Sequence, residues 1–192
     1  MAIFGIEGGI GTGKTLCVVY YGLQDLYAGK TIYSNIKLKG IPAKLRQNII
    51  YLDKERLKNI LTLVKEKKFD MKNSTVLIQE AHNYIDSRKA MFKENRMISY
   101  WILQSRHTGE GSCDIIYDTQ DLGQVDIRLR RNTDYIFRPK IVKWNIDGKI
   151  KMPVHIRIYG NTKLGHKYVK FNKLIDVTDA VNSYDTHEVV DF

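Results

Sequence analysis

The chain reads as short apolar runs alternating with stretches of helical period. Residues 2–7 form an apolar run that stops at a glycine cluster, the pattern of a buried strand. Residues 14–28 are apolar nearly all round, which predicts a buried helix with Gly29 as its C-terminal stop. β-Branched residues over 31–36 and a short run over 48–52 predict two further strands. Asp53 then caps a helix to about residue 67, where Leu57, Ile60, Leu61 and Val64 keep the i, i+3, i+4, i+7 spacing. Residues 74–79 predict a central strand, 94–107 a helix, 114–117 the next strand, and 124–131 a short arginine-rich helix or turn. From residue 135 onward strands dominate. One starts over 135–137, segments 140–146 and 149–158 flank the hairpin signal Asp147-Gly148, and 167–171 closes the series. This order predicts an α/β fold: a mainly parallel central sheet flanked by helices on both faces, with a C-terminal antiparallel β element.

Composition adds little to that picture and charge adds more. No repeat, low-complexity stretch or Pro/Ser-rich linker divides the 192 residues. A single domain over 1–192 is expected, with an αβ core over 1–137, a basic β-rich extension over 138–173 and an acidic tail over 174–192. The formal charge of +10 is uneven: residues 138–173 hold ten Lys or Arg against the single acid Asp147, and 174–192 hold five acids and no Lys or Arg. A block this basic points to a polyanion partner, nucleic acid first, against the plainer reading of a solvated lysine-rich surface. No apolar run approaches the roughly 18 residues that a membrane span needs. The first residues carry no basic segment ahead of an apolar one, so a cytoplasmic location is expected. Cys17 and Cys113 lack the spacing of a disulfide framework or a zinc site and read as structural.

The chemistry is concentrated in GGIGTGKT, residues 8–15, where Gly8, Gly13, Lys14 and Thr15 satisfy G-x-x-x-x-G-K-[ST]. The flanks are right, an apolar strand before and a helix after. Glycines let the backbone turn its N–H groups onto phosphates, and the helix start adds a positive dipole end. The expected nucleotide contacts are Gly8, Gly9, Ile10, Gly11, Thr12, Gly13, Lys14, Thr15 and Leu16. ATP and Mg²⁺ are the expected ligands, with Lys14 at the β- and γ-phosphates and the Thr15 hydroxyl on the metal. An acid and a glutamate should follow at the end of a neighbouring strand. In STVLIQEAH, residues 74–82, Gln79 stands where the acid is usual and Glu80 is the glutamate. Both are expected to reach Mg²⁺ through water, with Glu80 as the water-polarising base. Gln120, after the strand over 114–117, is a candidate sensor of the γ-phosphate. Of the nearby arginines, Arg130 and then Arg128 are candidates to stabilise phosphate charge across a subunit boundary. His82 and His107 read either as partners of neighbouring acids or as structural hydrogen-bonders.

The order GxxxxGKT, then IQEAHN, then SRHTG, then YDTQ, then an arginine cluster resembles the FtsK–HerA superfamily of P-loop motors. Within it the chain looks most like the Zot-type and viral DNA-packaging ATPases. The motifs carry the likeness over about residues 1–137, and the SYDT stretch at 183–186 adds to it. The resemblance implies a homo-oligomeric ring, commonly a hexamer, that moves DNA through a pore by ATP hydrolysis. It also implies Lys14 and Thr15 at the phosphates, Glu80 as catalytic carboxylate, Gln120 as sensor and an arginine near 128–131 as finger. Position 79 departs from the family's usual Asp. Zot-type proteins usually have a membrane span after the ATPase domain, and its absence from these residues favours a packaging motor over an extrusion motor.

Four functions are therefore weighed. The leading one is an ATP-hydrolysing translocase that packages double-stranded DNA into a capsid, with virion proteins as further partners. Its close alternatives are a Zot-like ATPase of filamentous phage assembly or extrusion and a weakly hydrolysing, ATP-binding assembly factor. The fourth is a small-molecule kinase, against which the pairing of Glu80 with Gln120 argues because it points to water as acceptor.

Overall fold

Among the described residues the chain runs β1 (Ile3–Glu7), α1 (Lys14–Tyr27), β2 (Thr31–Ser34), α2 (Ala43–Arg46), β3 (Ile49–Tyr51), β4 (Ser74–Ile78) and β5 (Cys113–Thr119). It continues with α3 (Ile127–Asn132), β6 (Tyr135–Ile141), β7 (Trp144–Ile146), β8 (Lys149–Lys151), β9 (Pro153–Asn161), β10 (Lys167–Asp176) and α4 (Thr178–Val181). This computed structural model describes residues 2–53, 55–56, 72–89, 113–142, 144–146, 149–151, 153–161 and 167–184. The expected helix over 94–107, most of that over 53–67, the SRHTG motif with His107, and Asp147-Gly148 lie outside the described residues.

Eight strands form one sheet in the order β10-β9-β6-β1-β5-β4-β2-β3. The six from β6 to β3 are mutually parallel, and β9 and β10 add to the β6 edge antiparallel. The α/β class and the antiparallel C-terminal element are as the sequence leads one to expect. Side chains alternate between two cores along each strand. Ile3, Val76, Ile78, Ile115, Tyr117 and Ile136 face one core, which α3 closes with Leu129. Ile6, Ile32, Leu77, Ile116, Phe137 and Ile156 face the other, which α1 covers with Leu16, Cys17, Val19, Leu23 and Leu26.

The segments 140–146 and 149–158 pair as the two arms that flank Asp147-Gly148, each arm divided between two strands. Lys140 and Ile141 finish β6 opposite His155 and Val154, and in the same register a two-stranded pair sets Trp144 opposite Lys151 and Ile146 opposite Lys149. Pro153, which has no N–H to donate, opens β9, and β9 returns along β6 with Arg138 opposite Arg157. The first part of the acidic segment is core rather than loose: Ile175, Val177 and Ala180 are buried on the α1 side.

Two packing features have measurable consequences. Gly22 lies where α1 crosses β4, and a Cβ there would stand 2.4 Å from Leu77 Cδ1. Leu77 is itself fully buried, so making room requires a shift within the core. Gly22→Ala is expected to cost about 1–3 kcal/mol, read as a lower urea midpoint at unchanged slope. Cys17 and Cys113 are buried, and burial pushes their thiols up to about 12 and about 11. Neither is expected to react with a disulfide reagent in the native protein at mildly alkaline pH. Both should react once the chain is unfolded, as a thiol titration with and without denaturant would read.

Candidate active site

The phosphate loop joins the C-terminal end of β1 to the first turn of α1. Gly13 ends the loop at φ 91°, in the left-handed region, and a Cβ there would also meet Ile141 Cγ1 at 2.9 Å. Only glycine satisfies both demands. Ile141 at the end of β6 and Val154 near the start of β9 thus pack close against the end of the loop. A Cβ built on Gly9 or Gly11 meets nothing within 4 Å, so the loop is open at both positions. Lys14 is only 7% exposed, and its ammonium donates to Gly9 O at 3.0 Å, across the hollow of the loop. Thr12 Oγ1 donates to the same carbonyl at 2.9 Å. Leu16 points into the core and is buried, so it contributes to the site through its backbone, while Ile10 is 89% exposed at the loop tip.

The parallel strands bring the companion residues to the same end. Gln79 follows β4, and Asn35 at the end of β2 holds it on both sides: Asn35 Oδ1 accepts from Gln79 N at 2.8 Å and Asn35 Nδ2 donates to Gln79 O at 3.0 Å. Gln79 Nε2 is 3.5 Å from the Thr15 hydroxyl. Glu80 adopts φ 52° and ψ 51°, a left-handed conformation that costs a non-glycine residue about 1–2 kcal/mol. Strain of this kind gathers at functional positions. The turn is held by Glu80 N donating to Asp118 Oδ1 at 2.7 Å and by Asn83 N donating to Glu80 O at 2.9 Å. His82 Nε2 sits 3.2 Å from Glu80 Oε2, and its other ring nitrogen is 3.2 Å from Thr119 Oγ1. His82 is therefore placed to orient the Glu80 carboxylate.

Asp118 is the residue that sequence reading passed over. It lies on β5, is fully buried, and its second oxygen accepts from Thr15 Oγ1 at 3.4 Å. Burial raises its carboxyl to about 7 and the nearby Glu80 charge pushes the same way, against the Glu80 N–H, the Lys14 charge and the Thr15 hydroxyl. A polar residue inside an apolar strand run (CDIIYDT) was the available signal. Asn35, likewise missed, had only its place at a strand end to mark it.

The remaining candidates are more spread out. Gln120 is exposed just past β5, beside the loop, where Gly8 N lies 3.4 Å from Thr119 O. The helix α3 leads the chain away from that end toward the start of β6, where Asp134 N donates to Ile3 O. Arg130 is in its last turn, and Arg128 is half-buried near its start, 3.9 Å from Asp126 Oδ2. Neither arginine is brought to its own phosphate loop.

The donor set fits a magnesium nucleotide. Thr15, Gln79, Glu80 and Asp118 offer hydroxyl, amide and carboxylate oxygens, the hard donors this cation prefers, beside an open loop that takes the phosphates. Among the described residues no group of three His, Cys, Asp or Glu makes a metal cage, and none of the helices is long and apolar enough to cross a membrane.

Known proteins resemble this one in sequence and in fold. Over 213 residues the chain is 26% identical to the Gene 1 protein of Enterobacteria phage fd, covering 98% of this chain and 60% of that relative. The chain thus spans about three fifths of the length of the curated relatives it matches. The crystal structure of the N-terminal domain of zonular occludens toxin from Neisseria meningitidis superposes with a TM-score of 0.56 at 19% identity, covering 96% of this chain and 98% of that one. The genome packaging NTPase B204 of Sulfolobus turreted icosahedral virus 2, in complex with sulfate, gives 0.56 at 15% identity, covering 88% and 96%. B204 has also been solved with ATP-γS. At these identities the two structures speak for the fold. The sequence profile of the zonular occludens toxin (Zot) family matches residues 2–165, most of the chain, and the protein belongs to that family.

Proposed function

We propose that this chain is an ATP-hydrolysing motor subunit that translocates nucleic acid, with double-stranded DNA packaging into a capsid as the leading task. The observation that carries the reading is the convergence of Lys14, Thr15, Glu80 and Asp118 at one open glycine loop. In this reading the loop N–H groups and Lys14 bind the triphosphate. Magnesium, when bound with the nucleotide, neutralises charge on the β- and γ-phosphates; Thr15, Asp118 and, through water, Gln79 and Glu80 would hold it. Glu80, oriented by His82, accepts the proton of the attacking water. Gln120 senses the γ-phosphate, and Arg130, with Arg128 second, reaches the site of the next subunit in a homo-oligomeric ring.

Nucleic acid would be gripped on the antiparallel edge. Arg138 and Arg157 lie opposite each other there, next to the Lys140–His155 pair, and Arg138, Lys140 and Arg157 are exposed. Such a grip is sequence-independent and weakens with salt. B204, by the name of its structure a DNA-packaging ATPase, supports the packaging reading. The Zot family and the Gene 1 protein match support the second reading equally well, an ATPase of phage assembly or extrusion. The motor would act in the host cytoplasm, with virion proteins as further partners.

Phosphate release without any added acceptor, measured with and without double-stranded DNA, tests the proposal. Release that accelerates with DNA at low salt, and loses that acceleration as salt rises, is expected. Absence of both DNA binding and stimulation at low salt would rule out the motor. Release only in the presence of a small-molecule acceptor would mark a kinase.

A further inference from the structure

Position 79 is neutral, yet a magnesium ion beside a nucleotide is ordinarily held by one or two carboxylates together with the phosphates. The parallel register shows where a carboxylate is available. The strand β5 lies between β1, which feeds the loop, and β4, which carries Gln79. Asp118 is in register with Ile6, one residue before the end of β1, and Ile78 of β4 is in register with Tyr117. Asp118 is thus one strand closer to the phosphate loop than Gln79, by about 4.8 Å.

Two further observations agree. The Thr15 hydroxyl, the metal-binding group of the loop, lies between the two side chains, 3.4 Å from Asp118 Oδ2 and 3.5 Å from Gln79 Nε2. Of these two neighbours only Asp118 is an acid. Asp118 is also fully buried and has no ion-pair partner within 4.0 Å among the described residues. Its Oδ1 is used by Glu80 N–H at 2.7 Å, and Oδ2 has only the long contact to Thr15. A buried carboxylate without a cation is costly unless a cation arrives with the ligand.

We infer that Asp118 on β5, rather than position 79 on β4, supplies the carboxylate for the magnesium ion of the bound nucleotide, directly or through one water. The acid has in effect moved one strand toward the loop, and Gln79 remains as a neutral neighbour that positions the Thr15 hydroxyl and ordered water. This inference rests on the nucleotide-binding reading above and names the metal-holding residue within it.

A fluorescent ATP analogue titrated into the full chain, in magnesium and in EDTA, separates the two. Wild-type protein is expected to bind more tightly in magnesium. In Asp118→Asn the affinity in EDTA should be retained while the magnesium-dependent gain falls by at least about tenfold, the usual cost of disturbing a metal site's carboxylate support. Adding Gln79→Asp to Asp118→Asn should restore the gain by returning an acid to the neighbouring strand. An undiminished magnesium gain in Asp118→Asn overturns the inference. No affinity in the folded wild-type protein under either condition would sink the nucleotide reading instead. Should circular dichroism show Asp118→Asn unfolded, wild-type crystals with Mn²⁺ and ADP decide. An anomalous peak within roughly 4 Å of Asp118 Oδ2, the reach of one bridging water, supports the assignment. A peak elsewhere, or none beside Thr15, overturns it.

Discussion

Lys14→Ala is expected to slow ATP hydrolysis by about 10²–10³ and to weaken ATP binding by about 10- to 100-fold, in a protein that stays folded. Lys14 is 7% exposed, and its ammonium already lies across the loop hollow, donating to Gly9 O at 3.0 Å. A triphosphate would replace that carbonyl as its partner, exchanging a neutral acceptor for an anionic one. A hydrogen bond to a charged group contributes about 1.5–3 kcal/mol, which sets the affinity loss. The same charge stabilises the leaving and transferring phosphates, and removing a preorganised group of this kind costs about 10²–10³ in rate. Folding should survive, because the lysine's own bond is to a loop carbonyl that water can reach at the open face. Calorimetry with Mg·ATP, phosphate release and a thermal melt would read the three parts. Unchanged affinity would show that the loop binds something other than a triphosphate.

The second large effect separates chemistry from binding. Glu80→Gln is expected to lower hydrolysis by about 10²–10⁴ while leaving ATP affinity in place. Glutamine keeps the shape of the side chain and a hydrogen-bonding partner for His82, 3.2 Å away in the native protein. The turn is also preserved, since it depends on the Glu80 backbone N–H to Asp118 rather than on the carboxylate. What is lost is the ability to accept a proton from water. Single-turnover hydrolysis alongside equilibrium ATP binding would show the split. Hydrolysis that persists in Glu80→Gln would move the general base elsewhere, and loss of both activities together would point to a structural role for the glutamate.

The loop and the strand order were legible because both rest on local pattern. GGIGTGKT announces itself by residue type and spacing, and the apolar runs at 2–7, 74–79 and 114–117 fall on strands β1, β4 and β5. The partnership between Asp118 and Thr15 was not legible, since 103 residues separate them and only the insertion of β5 between β1 and β4 brings them together. Reading β4 as the source of the metal's acid follows from the motif around Glu80, and the motif carries no information about a carboxylate one strand away. The hairpin of the C-terminal third was legible as well, because Asp147-Gly148 is a local turn signal and the arms on either side pair in one register. The buried Val177 and Ala180 were hidden by the acids around them, because overall charge says nothing about which side of a short helix faces the core.

Calorimetric titration of the folded chain with ATP, in magnesium and in EDTA, tests the central claim most directly. One ATP bound per chain with magnesium-strengthened affinity, weakened about 10- to 100-fold in Lys14→Ala, is the expected result. No heat of ATP binding in either buffer, from protein whose melt and circular dichroism show an intact fold, would contradict it.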